Sequence, residues 1–176
     1  MLKKGLIQVY TGDGKGKTTA ALGLACRARG QDLEVCYVCF HKNPKKRKRG
    51  EFEILKKIGA SIYGFAEETI CGEKSINEDE IRDDCLKGLR FIKDIFKENK
   101  YDVLILDEIN ISVREGFLKE KEVLALLDSK PARLELILTG RDASANIVKK
   151  ADLVSEIKKI KHPYDTGEKA RQGIEW

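Results

Sequence analysis

The sequence predicts an α/β fold of three layers, a doubly wound and mostly parallel sheet with helices on both faces. Three observations carry this prediction. Apolar runs of strand length alternate with helix-length amphipathic stretches along the 176 residues. Residues 33–40 are apolar almost throughout, the pattern of a strand covered on both sides. A glycine-rich turn joins the first strand to the first helix, at the end of the sheet where such folds gather ligands. No repeat and no linker divides the chain, so residues 1–176 are expected to form one domain.

The first strand is read in Leu6, Ile7, Val9 and Tyr10. Gly12, Asp13, Gly14, Lys15, Gly16, Lys17, Thr18 and Thr19 follow, and read as a phosphate loop. Its glycines let backbone N–H groups converge on a polyphosphate, and the helix behind adds the positive end of its dipole. Lys17 supplies a point charge to the outer phosphates and the Thr18 hydroxyl a ligand for their magnesium. The spacing departs from the standard Walker A motif, because Thr11 stands where the first glycine is expected and Gly12 comes one place later. The helix is expected over about 17–29, with Ala20, Ala21, Leu24, Ala25 and Ala28 inward, Arg27 on the other side and Gly30 as its stop.

After the strand at 33–40 comes HKNPKKRKRGEFE, with six cations between residues 42 and 49. A solvated basic loop over 42–50 is expected, and contact with a polyanion or an acidic protein is the functional alternative. No aromatics interleave with these cations, so a nucleic-acid platform is not indicated. A short helix at 52–58 ends at Gly59, and a short strand occupies 61–65. Asn77 and Glu80 form a capping box that opens a long helix, whose stripe of Ile81, Cys85, Leu89, Ile92 and Phe96 is core.

Residues 102–106 read as a buried strand ending in adjacent acids, Asp107 and Glu108. An acid at that end of a strand completes a magnesium shell facing a phosphate loop. Successive strand residues face opposite sides, so one of the two is expected at the metal. A helix at 121–127 is broken by Pro131, and a strand at 134–138 runs into Thr139-Gly140-Arg141, which brings Arg141 to phosphate or substrate. Val154, Ile157 and Ile160 suggest a last strand whose alternation breaks once. The tail at 161–176 is polar and turn-rich, a candidate lid or substrate contact.

The net charge of +5 is modest, and its clustering matters more than its sum. No apolar run is long enough to cross a membrane, and the first residues lack a signal-peptide core, so a cytoplasmic protein is expected. Five cysteines, Cys26, Cys36, Cys39, Cys71 and Cys85, show no paired metal spacing and are read as buried reduced thiols.

GDGKGKTTAALGLACRARG, VLILDEIN, LILTGRDA and ADLVSEIKKIKHPYDTGEKARQGIEW, in that order, closely resemble the P-loop type of ATP:cob(I)alamin (corrinoid) adenosyltransferases, from residue 6 to residue 176. The resemblance implies a RecA-like architecture, ATP as co-substrate, Mg²⁺ or Mn²⁺, and a corrinoid whose Co(I) attacks the 5′ carbon of ATP as triphosphate departs. It places residues 12–19 round the triphosphate and Arg27 near the nucleotide. Thr18 and Glu108 fall on magnesium, Asp107 behind them, and Lys17, Thr18 and Glu108 become the catalytic set. Phe65, Glu67, Arg141 and His162 fall beside the corrinoid. Glu67 stands where the family carries a second aromatic that, with Phe65, displaces cobalt's lower ligand. The resemblance also implies a homodimer. For the basic loop, the functional alternative to a solvated segment becomes docking of an acidic flavodoxin-type reductase. The alternative from another class is a RecA-like ATPase or kinase that transfers the γ-phosphoryl group.

Overall fold

The computed structural model of the chain describes residues 2–42, 50–66 and 77–175. Six strands form one parallel sheet: β1 (Ile7–Thr11), β2 (Val35–Phe40), β3 (Ser61–Phe65), β4 (Val103–Asp107), β5 (Glu135–Thr139) and β6 (Leu153–Glu156). Their order across the sheet is β3-β2-β4-β5-β1-β6, every pair parallel. The helices are α1 (Lys17–Arg29), α2 (Gly50–Lys57), α3 (Glu78–Glu98), α4 (Ile109–Arg114), α5 (Glu120–Asp128) and α6 (Ala145–Lys150), and a 3₁₀ turn spans Pro163–Thr166.

The sheet separates two apolar cores. Ala21, Ala25 and Ala28 of α1 and Phe52 and Leu55 of α2 pack on Val35, Tyr37, Cys39, Val103, Ile105 and Ile137. The alternate residues, among them Val38, Phe40, Leu104, Leu106, Leu136 and Leu138, meet the stripes of α3 and α5 with Ile109 and Ile147. All residues of β2 and β4 are buried, so their runs show no polar alternation. The expected three-layer architecture is the one observed. Cys36 and Cys39 fall in opposite cores, as strand geometry requires. Among the described residues no helix is long and apolar enough to cross a membrane.

Several local expectations need correction. Ala20 is exposed and Leu24 only half-buried, because α1 presents the narrower stripe of Lys17, Ala21, Ala25 and Ala28 to the sheet. Cys26 is exposed rather than buried; Cys36, Cys39 and Cys85 are buried and free, and Cys71 lies outside the described residues. Burial pushes the Cys36 thiol up to about 12. Asn77 caps α3, but through Asp79 N, and Glu80 accepts from the Asn77 side-chain amide rather than from its backbone. The last strand stops at Glu156 and all its residues are exposed, while Ile160 lies beyond it, 91% exposed. Helices α4 and α6 are additions to the sequence reading; each has six residues, fewer than two turns, too short to show a period.

Leu104, fully buried in the central strand, is expected to cost about 2–5 kcal/mol when changed to Ala. Leu153→Ala on the exposed β6 edge should cost below about 1 kcal/mol. Urea unfolding of both variants checks the two figures.

Candidate functional site

The site lies at the carboxyl ends of the strands, where four elements deliver polar groups. β1 ends at Thr11, and Gly12 and Gly16 take positive φ values of 97° and 129° to turn the chain into α1. The loop rests on the chain that follows β6, with Gly14 N donating to Ile157 O at 2.7 Å. A Cβ on Gly12 would sit 2.5 Å from Ile157 O, and one on Gly14 2.7 Å from Lys158 O, so only glycine fits at either position. The Asp13 carboxylate accepts from Lys159 N at 3.0 Å, and that bond holds it below its usual range.

Lys17 folds back under its own loop. Its buried ammonium donates to Gly12 O and Gly14 O, both at 2.7 Å. Burial, followed by the charge of nearby Arg141, lowers its pKa. The two carbonyls therefore hold a partly desolvated cation at the place where a polyphosphate would compete for it.

Beside it, Asp107 at the end of β4 is fully buried. Its Oδ1 accepts from the Thr18 hydroxyl at 2.9 Å and from the Thr139 hydroxyl at 2.7 Å. Its Oδ2 accepts from Lys42 Nζ at 2.5 Å. Burial pushes the Asp107 pKa up, but the Lys42 charge and these hydrogen bonds outweigh it and hold the carboxyl below its usual range, ionised. Glu108 has left the strand: its φ of 64° turns the chain into α4, and its N–H donates to Thr139 Oγ1 at 3.0 Å. Strand alternation therefore does not separate the two acids, and Glu108 Oε1 also reaches Lys42 Nζ, at 3.2 Å.

Thr18, Asp107 and Glu108 thus supply a hydroxyl and two carboxylates round one cationic position. These hard oxygen donors suit Mg²⁺, which keeps most of its shell for phosphate oxygens and water. Among the described residues no group of three or more His, Cys, Asp or Glu side chains could hold a metal without such help.

The remaining predicted residues are more scattered. Arg141, exposed after β5, acts electrostatically on both Lys17 and Asp13 and so borders the phosphate loop. Lys15 lines a concavity of about 410 Å³ with Lys158, Lys159, Lys161, His162 and Arg171, which seats the tail against the loop. The His162 ring accepts from Tyr164 N at 3.1 Å and caps the 3₁₀ turn. Phe65, half-buried at the end of β3, packs 5.5 Å from Phe91 and 6.2 Å from Phe40 between ring centroids. Glu67 lies outside the described residues, as do positions 43–49 of the basic loop. Arg27 is exposed near the far end of α1, roughly 15 Å along the helix axis from Lys17, and is not brought to the loop.

Sequence reasoning missed Thr139 and Lys42. Thr139 lay in a segment read only for its arginine, and Lys42 was counted as one cation of a run. The signal for Lys42 was its place two residues beyond a fully apolar strand. Its neighbour His41 is buried in a left-handed conformation, φ 59°, with Nε2 2.7 Å from Ser112 Oγ.

Comparison with known proteins is consistent across the chain. A family model described as ATP:corrinoid adenosyltransferase BtuR/CobO/CobP matches residues 3–176. Corrinoid adenosyltransferases from Sinorhizobium and Salmonella typhimurium are each 34% identical to it over 99% of this chain, covering 81% and 87% of their own lengths. The corrinoid adenosyltransferase of Pseudomonas aeruginosa is 28% identical over 99% of this chain and 85% of its own. A KaiC-like protein from Pyrococcus horikoshii superposes with a TM-score of 0.57 at 21% identity, over 90% of this chain and 75% of that one, a likeness of fold alone.

His41 gives the site region a pH signature. Burial lowers its pKa from 6.5 to about 4. Between these values the unfolded chain takes up a proton that the folded chain refuses, so the stability is whole above about pH 6.5 and is lost as pH falls toward 4, by up to about 3 kcal/mol. His41→Asn, which tolerates the left-handed backbone, should flatten that part of the pH dependence in chemical unfolding.

Proposed function

The chain belongs to the ATP:corrinoid adenosyltransferase family, and on that premise we propose that it transfers the 5′-deoxyadenosyl group of ATP to the Co(I) of a corrinoid, with release of triphosphate. Co(I) supplies the electron pair of the new cobalt–carbon bond, the C5′–O bond breaks, and triphosphate leaves with the pair of that broken bond. No proton is transferred, so the chemistry needs no general base. What it needs is stabilisation of a leaving polyanion.

The arrangement of Lys17 is the observation that carries this reading. Its buried ammonium lies against the carbonyls of Gly12 and Gly14, from which phosphate oxygens can draw it. The N–H groups of residues 15–18 and the amino end of α1 add further positive potential, while the N–H of Gly14 is taken by Ile157 O. Thr18 and Glu108 would hold Mg²⁺ or Mn²⁺, with Asp107 behind them fixing the Thr18 hydroxyl. Bound there, the cation would neutralise charge on the triphosphate. Arg141 borders the same loop and is assigned to nucleotide and corrinoid, and Phe65 and His162 to the corrinoid. The remaining loop residues, Asp13, Lys15 and Thr19, are assigned to the triphosphate and Arg27 to the nucleotide. A homodimer, and docking of an acidic flavodoxin-type reductase on the cations of residues 45–49, the first cation of that run, Lys42, being held by Asp107, complete the proposal; for the docking, charge complementarity is the support.

An anaerobic assay with chemically reduced cob(I)alamin and MgATP tests it. Adenosylcobalamin and triphosphate in equal amounts are expected, and ADP with orthophosphate and unchanged corrinoid would instead mark a RecA-like phosphoryl-transfer enzyme. Lys17→Ala and Glu108→Ala should each lower kcat/KM by about 10²–10³. Neutralising the cations of residues 45–49 should weaken flavodoxin-coupled turnover and its salt dependence while leaving the chemically reduced assay unchanged.

A further inference from the structure

Lys42 is the group this mechanism leaves without a task. Its side chain is 14% exposed, and its ammonium lies 2.5 Å from Asp107 Oδ2, 3.2 Å from Glu108 Oε1 and 3.3 Å from Thr18 Oγ1. Burial opposes that charge, but the two carboxylates outweigh it and raise the pKa of Lys42 above the ordinary lysine range. The three oxygens it touches come from the side chains that would surround a divalent cation.

An ammonium and a divalent cation cannot share those oxygens, because like charges a few ångströms apart in a partly buried site repel strongly. The backbone at this point is fastened: His41 N donates to Phe65 O at 3.0 Å, and Lys42 O accepts from Cys39 Sγ at 3.4 Å. What can move is the four-carbon side chain. Asp107 cannot dispense with a cation either, being fully buried and ionised.

We propose that Lys42 is a tethered counter-ion: its ammonium fills the position between Thr18, Asp107 and Glu108 until the metal–nucleotide complex displaces it, so that the site disfavours a divalent cation arriving alone. The proposal rests on the metal-site reading above. Free metal must evict a built-in charge and offers the released ammonium no new partner. The metal–nucleotide complex brings phosphate oxygens to which the released ammonium can turn. In the metal-free protein the same lysine protects the fold from a buried unpaired carboxylate.

Binding of Mn²⁺ in the absence of nucleotide, followed by electron paramagnetic resonance, tests this on the full chain. Lys42→Met and Lys42→Gln should bind Mn²⁺ about tenfold or more tighter than the unsubstituted protein, whereas Lys42→Arg, which keeps the charge, should gain nothing. In EDTA the two neutral variants should melt below the parent, and Mn²⁺ should raise their Tm more than it raises the parent's. Gln keeps a hydrogen-bonding group for Asp107 should Met fail to fold. If the neutral variants bind Mn²⁺ no tighter while Glu108→Gln weakens binding, the counter-ion role is overturned and the metal site stands. If Mn²⁺ binding is indifferent to Glu108→Gln as well, the metal-site reading falls with it.

Discussion

One buried carboxylate ties the functional end of this molecule together. Asp107 has no exposed surface, yet it is ionised, and it survives there because α1, β5 and Lys42, two residues beyond β2, each send it a donor. The cost of burying a charge makes those contacts obligatory, since removing one partner of such a pair typically costs about 3–5 kcal/mol. The geometry of the proposed site is therefore a by-product of electrostatic necessity. Thr18 is aimed because Asp107 needs its hydroxyl, and Glu108 is placed because its amide reaches the Thr139 oxygen that already serves Asp107.

The sheet makes this arrangement possible. With β4 between β2 and β5, and β1 beyond β5, the carboxyl ends of four parallel strands open on one side. The two cores hold those strands rigidly, because the central runs are apolar on both faces. A site built on strand ends inherits that rigidity, while the loops leaving them can vary. The short helix α4 extends the principle: its first residue is fully buried, which anchors the turn carrying Glu108.

Much of this was legible in the sequence, for identifiable reasons. Buried parallel strands announce themselves as unbroken apolar runs, and β2 and β4 did so. The glycine-rich turn between strand and helix located the phosphate loop. What escaped had no local signature. The stretch Ile109-Asn110-Ile111-Ser112 alternates like a strand, yet it forms the start of α4, because six residues carry too little periodicity to decide. The exposed β6 runs along β1 through backbone pairing, with little help from its side chains. Lys42 was hidden among neighbours of the same charge; its carboxylate partners lie 65 and 66 positions away, a distance that no spacing rule spans.

The contact between the phosphate loop and the chain after β6 has a further meaning. Gly12 and Gly14 lack side chains for two reasons at once, the curvature of the loop and the carbonyls of Ile157 and Lys158 pressed against them. The loop floor and the root of the tail are thus a single mechanical unit. The concavity holding His162 and Arg171 is lined by Lys158 and Lys159 of that same stretch, so a side chain at either glycine would disturb the tail as well as the loop.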